Sequence, residues 1–232
     1  MRELAELIEF YPESWKNANA YFLHIGDGLL IDPGLPMPEE ARDKVHTLLA
    51  THAHYDHLAG LDSWLEVPGS RFVCPRADAP LLDDAEANAS KLFAHSRSFP
   101  QPDHWIEDGD SLNFGKDFRL ECWHTPGHTP GSSCFLLLQK NPEGEEKVMA
   151  LFTGDTLFAD SVGRSDLSGG NPVKMKESIE LLRERLSTLP PELAVFPGHG
   201  QADQAGNILS RNPFMRQGGF CLLYTSPSPR DS

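Results

Sequence analysis

Short apolar runs punctuated by glycine and proline fill most of the chain, and their spacing predicts the elements. Residues 21–25 and 29–31 flank Gly26-Asp27-Gly28 and predict a hairpin, because glycine supplies the positive φ that tight turns need. A short acidic helix over 38–44 is expected next, then a strand at 45–50, a helix near 58–65, a strand at 71–74 and a helical stretch within 77–95. Strands follow at 118–123, 133–138 and 148–152, with Asp108-Gly109-Asp110 and Pro142-Glu143-Gly144 as turns between runs. The period then changes. Met175, Ile179, Leu182 and Leu186 are spaced four, three and four apart, which gathers them on one face of a helix over 174–186. Residues 193–196 read as a strand running into Pro197-Gly198, and a helix closes the pattern. Helices covering mixed sheets are the natural packing for this order, so the fold class is α/β.

Composition narrows the function. The chain has 232 residues with Lys+Arg 20 against Asp+Glu 34, a formal charge of -14. A surface this acidic repels a phosphate backbone, so nucleic acid is not an expected partner. No apolar run approaches the ~20 residues a helix needs to cross a bilayer, so no membrane span is expected. Glu3 and Glu6 stand where an export signal would need an uncharged apolar core, which makes the cytoplasm the default location. Cys74, Cys122, Cys134 and Cys221 form no C-x-x-C pair and predict reduced thiols, mostly buried. No internal repeat is present, so residues 1–219 are expected to form one domain. The Ser/Pro-rich end, 220–232, looks foreign to the fold: it resembles a translated cloning adaptor, the alternative being a natural disordered tail.

The chemistry concentrates at Thr51-His52-Ala53-His54-Tyr55-Asp56-His57, where three imidazoles and a carboxylate follow an apolar strand directly. In extended backbone His52 and His54 point the same way, so one metal ion can be held by both. Asp56 and His57 fall at the following turn, with a helix start expected at Leu58, positioned toward a second ion. Imidazole and carboxylate donors suit zinc first, with iron or manganese at the same geometry. Three further segments place a candidate ligand in a glycine turn after a strand: Pro126-Gly127-His128, Thr153-Gly154-Asp155 and Pro197-Gly198-His199. A single histidine in such a turn is ordinarily a surface residue. Four such features in one chain are not an ordinary coincidence.

Taken in order, Asp32-Pro33-Gly34, the T-H-x-H-x-D-H run at 51–57, Pro-Gly-His at 126–128, Thr-Gly-Asp at 153–155 and Pro-Gly-His at 197–199 resemble the metallo-β-lactamase-fold hydrolases. Within them the chain is similar to the small glyoxalase II-like proteins, with Gly163-Arg164-Ser165-Asp166 and Asn212-Pro213-Phe214 as weaker matches. The resemblance implies an αββα sandwich with the metal site at the sheet edge. It implies that His52, His54 and His128 hold one divalent ion and Asp56, His57 and His199 a second. Asp155 would be shared by both ions, and Asp56 and Asp155 are the carboxylates counted as catalytic. Asp32 corresponds to an aspartate beside the site that orients ligands. Arg164 is a candidate for a substrate carboxylate, the alternative being a salt bridge with Asp166. Ala53 stands where glycine is more usual in the family, and the segment before residue 45 is short for its first helix.

The function this resemblance implies is hydrolysis of small thioesters such as S-D-lactoylglutathione. Two bound cations lower the pKa of water from 15.7 toward ~7, and a thiolate leaves without a strong general acid because its conjugate acid has a pKa near ~8.5. One alternative is a mononuclear iron persulfide dioxygenase using positions matching His52, His128 and Asp155; another is a lactonase or other ester hydrolase on the same site. A binding module that kept the fold without activity is disfavoured by the intact ligand set. Among the other histidines, His124 alone stands close enough to His128 to suggest a supporting role, and the Asn88-Ala89-Ser90 glycosylation triplet is read as accidental.

Overall fold

A computed structural model describes residues 3–38, 41, 43–93 and 95–216. Its strands form two sheets of six. The first follows a short helix, α1 (Leu4–Leu7), and contains, in spatial order, β1 (Ile8–Tyr11), β2 (Ala20–Leu23), β3 (Leu29–Ile31), β4 (Thr47–Leu49), β5 (Arg71–Pro75) and β6 (His104–Ile106). The second contains β7 (Ser111–Phe114), β8 (Phe118–His124), β9 (Ser133–Lys140), β10 (Glu146–Gly154), β11 (Ala194–Pro197) and β12 (Asp203–Gln204). Hairpins make β1–β3 and β7–β10 antiparallel. Crossovers make β3–β6 parallel, and β10 pairs parallel with β11 after the long helix α5 (Pro172–Ser187) intervenes.

Strand alternation generates four layers. Leu23, Leu29, Ile31, Leu49 and Val73 of the first sheet face Leu120, Cys122, Phe135, Leu137 and Phe152 of the second, forming the central core. Their neighbours in sequence point outward. Phe22, Leu30, Leu48 and Phe72 pack against Leu58, Leu61, Trp64, Leu81 and Leu82, which belong to α2 (Tyr55–Leu58), α3 (Leu61–Leu65) and α4 (Ala79–Leu82). On the far side, Cys134, Leu136, Leu151 and Val195 meet α5 and α6 (Ala205–Arg211). The expected αββα sandwich is the fold. Helix α5 buries Met175, Ile179, Leu182 and Leu186, the face its period predicts, and Asn171 caps it by accepting from the Val173 and Lys174 amides.

Several expectations need correction. The helix at 58–65 is two short helices, and the first begins at Tyr55 rather than Leu58. Among its described residues, the stretch 77–95 holds only α4 and two 3-10 turns, Arg76–Asp78 and Ser90–Phe93. The helix expected over 38–44 includes residues 39, 40 and 42, which lie outside the described residues, as do 217–219, the expected tail at 220–232 and Cys221. Strands β1, β6, β7 and β12 were not anticipated; all four are short and partly exposed. No helix among the described residues is long and apolar enough to cross a membrane.

Candidate metal centre

All seven candidate ligands leave strand ends at one edge of the sandwich. Strand β4 stops at Leu49, the chain bends at Thr51 and His52, and His54, with φ -75 and ψ 151, precedes α2. His52 and His54 do come together, with ring centroids 4.8 Å apart, but on a bent loop rather than in the extended backbone expected. Because α2 starts at Tyr55, Asp56 and His57 fall in its first turn. His128 lies in the β8–β9 connection, with its ring 4.8 Å from that of His52 and 4.6 Å from that of His54. Asp155 follows β10 and His199 follows β11, and the parallel register of these strands, Gly154 beside Pro197, delivers both to the same point.

The donor atoms cluster in three sets: His52, His54 and His128; His52, His57 and Asp155; and Asp56, His57 and His199, each within 4.8 Å. Asp155 stands between the groups. One of its oxygens is 3.4 Å from His57 Nε2, while the other is 3.5 Å from both His128 Nε2 and His199 Nε2. Buried polar atoms are ordinarily hydrogen-bonded. Here Nε2 of His52, His54, His57 and His128 and Oδ1 of Asp155 are buried with no hydrogen-bond partner among the described residues. Converging lone pairs of this kind, from nitrogen and carboxylate oxygen, fit divalent cations.

Neighbours fix the ring orientations. The Arg164 carbonyl lies 2.7 Å from His128 Nδ1, so that nitrogen carries the proton and Nε2 keeps its lone pair. Asp32 accepts from the Thr51 amide at 2.7 Å and hydroxyl at 2.9 Å. Its Oδ2 also lies 2.9 Å from His57 Nδ1, a contact of charges at an angle outside hydrogen-bond geometry. Asp32 has φ 56, a left-handed conformation unusual for a non-glycine residue. Glycine is sterically required at Gly198, where a Cβ would collide with Asp155 Oδ1 and lie 2.7 Å from His57 Cε1.

Two supporting residues carry no sequence signal. Glu13 places Oε2 2.6 Å from His199 Nδ1 while Oε1 accepts from the Gly200 amide at 3.0 Å. Asp78, fully buried, accepts hydrogen bonds from the loops of His52-x-His54 and His128. Each is a single acid in an acidic chain, with no spacing to mark it. His124 does support its neighbouring turn, with Nε2 2.8 Å from the Pro130 carbonyl. Asn88 is buried with its amide on the Arg97 carbonyl, so the glycosylation triplet is inside the protein. Cys74, Cys122 and Cys134 are buried free thiols; burial pushes Cys122 and Cys134 up to about 12.

Electrostatics divide the histidines. Burial, reinforced by neighbouring imidazoles, pushes His52 well below the ordinary range and His54 down to about 3. Burial also opposes charge on His57 and His199, but carboxylates outweigh it. Asp32, Asp155 and Asp56 hold His57 well above its usual value, and Asp155 and Asp56 bring His199 up to about 9. The carboxyls of Asp56 and Asp155 are correspondingly held low despite burial, by His57 and His199.

His54, Asp56, His128, Asp155 and His199 floor a cleft of ≈ 540 Å³ walled by Leu92, Phe93, Phe158, Val162, Leu167 and Arg164, while His52 and His57 are fully buried. That size suits a small molecule. The Arg164 guanidinium closes on Asp166 through two hydrogen bonds of 2.8 and 2.9 Å.

Residues 14–199 match the family model of the Metallo-beta-lactamase superfamily. The chain belongs to that superfamily. Among superfamily relatives it is 36% identical over 213 residues to the probable metallo-hydrolase YqgX of Bacillus subtilis, covering 88% of this chain and 94% of the other. It is 30% identical over 202 residues to the hydroxyacylglutathione hydrolase GloC of Haemophilus influenzae, covering 80% and 86%. The superfamily fold superposes on the crystal structure of TTHA1623 in a di-iron-bound form with a TM-score of 0.70 and 31% identity, covering 89% of this chain and 99% of that one. Superfamily membership and the histidine–aspartate cluster together point to metal-dependent hydrolysis in general.

Proposed function

We propose that the protein is a binuclear metal-dependent hydrolase of small thioesters resembling S-D-lactoylglutathione. The observation that carries this reading is the convergence of Asp155 with histidine Nε2 atoms that have no hydrogen-bond partner among the described residues, at a cleft that His54, His128 and Asp155 line. His52, His54 and His128 would hold one divalent cation, Asp56, His57 and His199 the other, and Asp155 would serve both. Zinc is the first assignment by donor chemistry, with iron or manganese as alternatives; TTHA1623 is a di-iron precedent among similar chains. When bound, such a pair supplies hydroxide at neutral pH and positive charge for a developing oxyanion.

The protein's own groups do the rest. Neutral His52 and His54 offer lone pairs without first losing a proton. Asp56 Oδ2, 3.1 Å from His199 Nε2, is a carboxylate positioned beside the cleft to orient or accept a proton. We assign Arg164, on the cleft wall, to an anionic group of the substrate, with Asp166 fixing the guanidinium plane. A thiolate leaving group requires no strong acid from the protein. The relative named as a hydroxyacylglutathione hydrolase supports the thioester class. Partner and location follow as part of the same reading: a small-molecule substrate, with no nucleic acid or membrane, acting in the cytoplasm.

The test is metal content of protein purified without added metal, followed by hydrolysis of S-D-lactoylglutathione on the same sample. Two ions per chain with turnover are expected, and Arg164→Ala should raise KM several-fold with little change in kcat. Two ions without thioester turnover would overturn the substrate assignment and direct assays to lactones and other esters. One iron per chain with oxygen uptake would replace the hydrolase reading with a dioxygenase.

A further inference from the structure

Asp78 ends the 3-10 turn that follows β5 and belongs to none of the ligand segments. Its carboxylate is completely buried, and no cationic side chain pairs with it among the described residues. Instead it collects three hydrogen bonds. Oδ2 accepts from the Ala53 amide at 2.9 Å and from the Thr129 hydroxyl at 2.8 Å; Oδ1 accepts from the Gly131 amide at 2.5 Å. Ala53 lies between His52 and His54, and Thr129 follows His128. One carboxylate therefore ties together the two loops that carry all three imidazoles of one candidate metal position.

The other position is held differently. His57 rests against Asp32 and His199 against Glu13, and none of the hydrogen bonds of Asp78 reaches Asp56, His57 or His199. Asp32 touches both positions, His57 directly and His52 through the Thr51 hydroxyl. We propose that Asp78, by contrast, is a positioning residue of the His52/His54/His128 position alone, so that this position can be weakened without the other. This rests on the binuclear reading above.

Burying an ionised carboxylate without a counter-cation is costly unless its lone pairs are filled. Three donors arranged around one buried carboxylate fill them, and they do so only in the geometry that sets the spacing of the two loops. Asn at this position keeps the shape but has one acceptor oxygen, so its NH2 would face an incoming N–H or O–H. The loops would then move apart, and the imidazoles with them. Outer partners of metal ligands typically govern ~10–100-fold of metal affinity.

The experiment titrates zinc and cobalt(II) into chelator-stripped wild type, Asp78→Asn and Thr129→Val, reading both affinities by competition with a chromophoric chelator. Cobalt spectra and the Tm of each stripped protein are recorded alongside. For Asp78→Asn, one of the two affinities should fall ~10–100-fold with the other unchanged, and the cobalt spectrum should lose the nitrogen-rich component. Thr129→Val leaves both amide bonds to Asp78 intact and should produce a smaller, several-fold loss at the same position; it carries the test if Asp78→Asn does not fold. Glu13→Gln should weaken the opposite position. Two unchanged affinities, or two falling together, would overturn the inference, since a carboxylate that only stabilises the fold lowers Tm without selecting a position. If stripped wild type itself takes up one ion, the binuclear reading fails instead, and the two failures are told apart.

Discussion

The two halves of the candidate metal centre use the same residue type under opposite conditions. His52, His54 and His128 are buried, with the Thr51 hydroxyl against His52 and the Arg164 carbonyl against His128, and burial keeps His52 and His54 neutral. His57 and His199 each lie against carboxylates, which keep them protonated in the absence of a cation. A cation entering the first half finds lone pairs ready. In the second half it must displace protons. Burial alone therefore does not determine how a histidine behaves; the charge of its nearest partner does.

The largest disturbance of this comparison is Asp155→Ala, which removes the one carboxylate placed between both halves. Metal content and turnover should both fall, affinity by more than the ~100-fold that loss of an outer partner costs; unchanged thioester hydrolysis in that variant would sink the mechanism. The next is pH. Because carboxylates keep both His57 and His199 protonated in the cation-free protein, His199 up to about 9, a cation at their position displaces two protons. Its affinity should therefore fall by up to about a hundredfold per unit as pH drops below 9, whereas His52 and His54, held neutral by burial, add no such slope to theirs. Metal titrations at pH 6.5, 7.5 and 8.5 check this, and parallel slopes would erase the distinction.

A smaller effect concerns stability of the stripped protein. His199, raised in the fold, contributes stability that is complete below pH 6.5 and lost as pH rises through about 9. His54, depressed in the fold, has the opposite sign: the unfolded chain binds its proton first, so stability falls as pH drops from 6.5 toward 3. Thermal unfolding between pH 4 and 10 should show Tm declining on both sides of an intermediate maximum. The smallest expected change is Glu13→Gln, about tenfold in affinity at the His199 position and little in Tm, because Glu13 lies at the exposed rim.

The gathering of the candidate ligands at one point was legible because their chemistry is written locally: three imidazoles in six residues, and glycine turns at strand ends that repeat one device. The layers were legible where the pattern is strong, as in the unbroken apolar run of β9 and the four-three-four spacing of α5. Strand β1 was not, since its two central residues are exposed and its ends only half-buried, leaving no alternation to read. The helix start at Tyr55 has no local marker, since His54 before it makes no side-chain cap, so the sequence places Asp56 and His57 at a turn with the helix beginning only at Leu58. Asp78 and Glu13 were invisible for a different reason. Their importance lies in which loops the fold brings to them, and no local pattern records a contact made across the sandwich.

The loop carrying His199 is clasped by residues near the start of the chain. The Asn19 amide donates to the Gly198 carbonyl, the Asn19 side chain to the Pro197 and Gly200 carbonyls, and the Tyr21 hydroxyl to Pro197. During synthesis, segment 13–21 leaves the ribosome first and stays without this partner until residues 197–200 emerge. Loop closure over such separations is slow. A nascent chain released only as far as α5 already contains His52, His54, His128 and Asp78, whereas the His199 side awaits the last parallel strand. The contacts of His199 with Asp56 and Glu13 are therefore the last of the centre's contacts that synthesis makes possible.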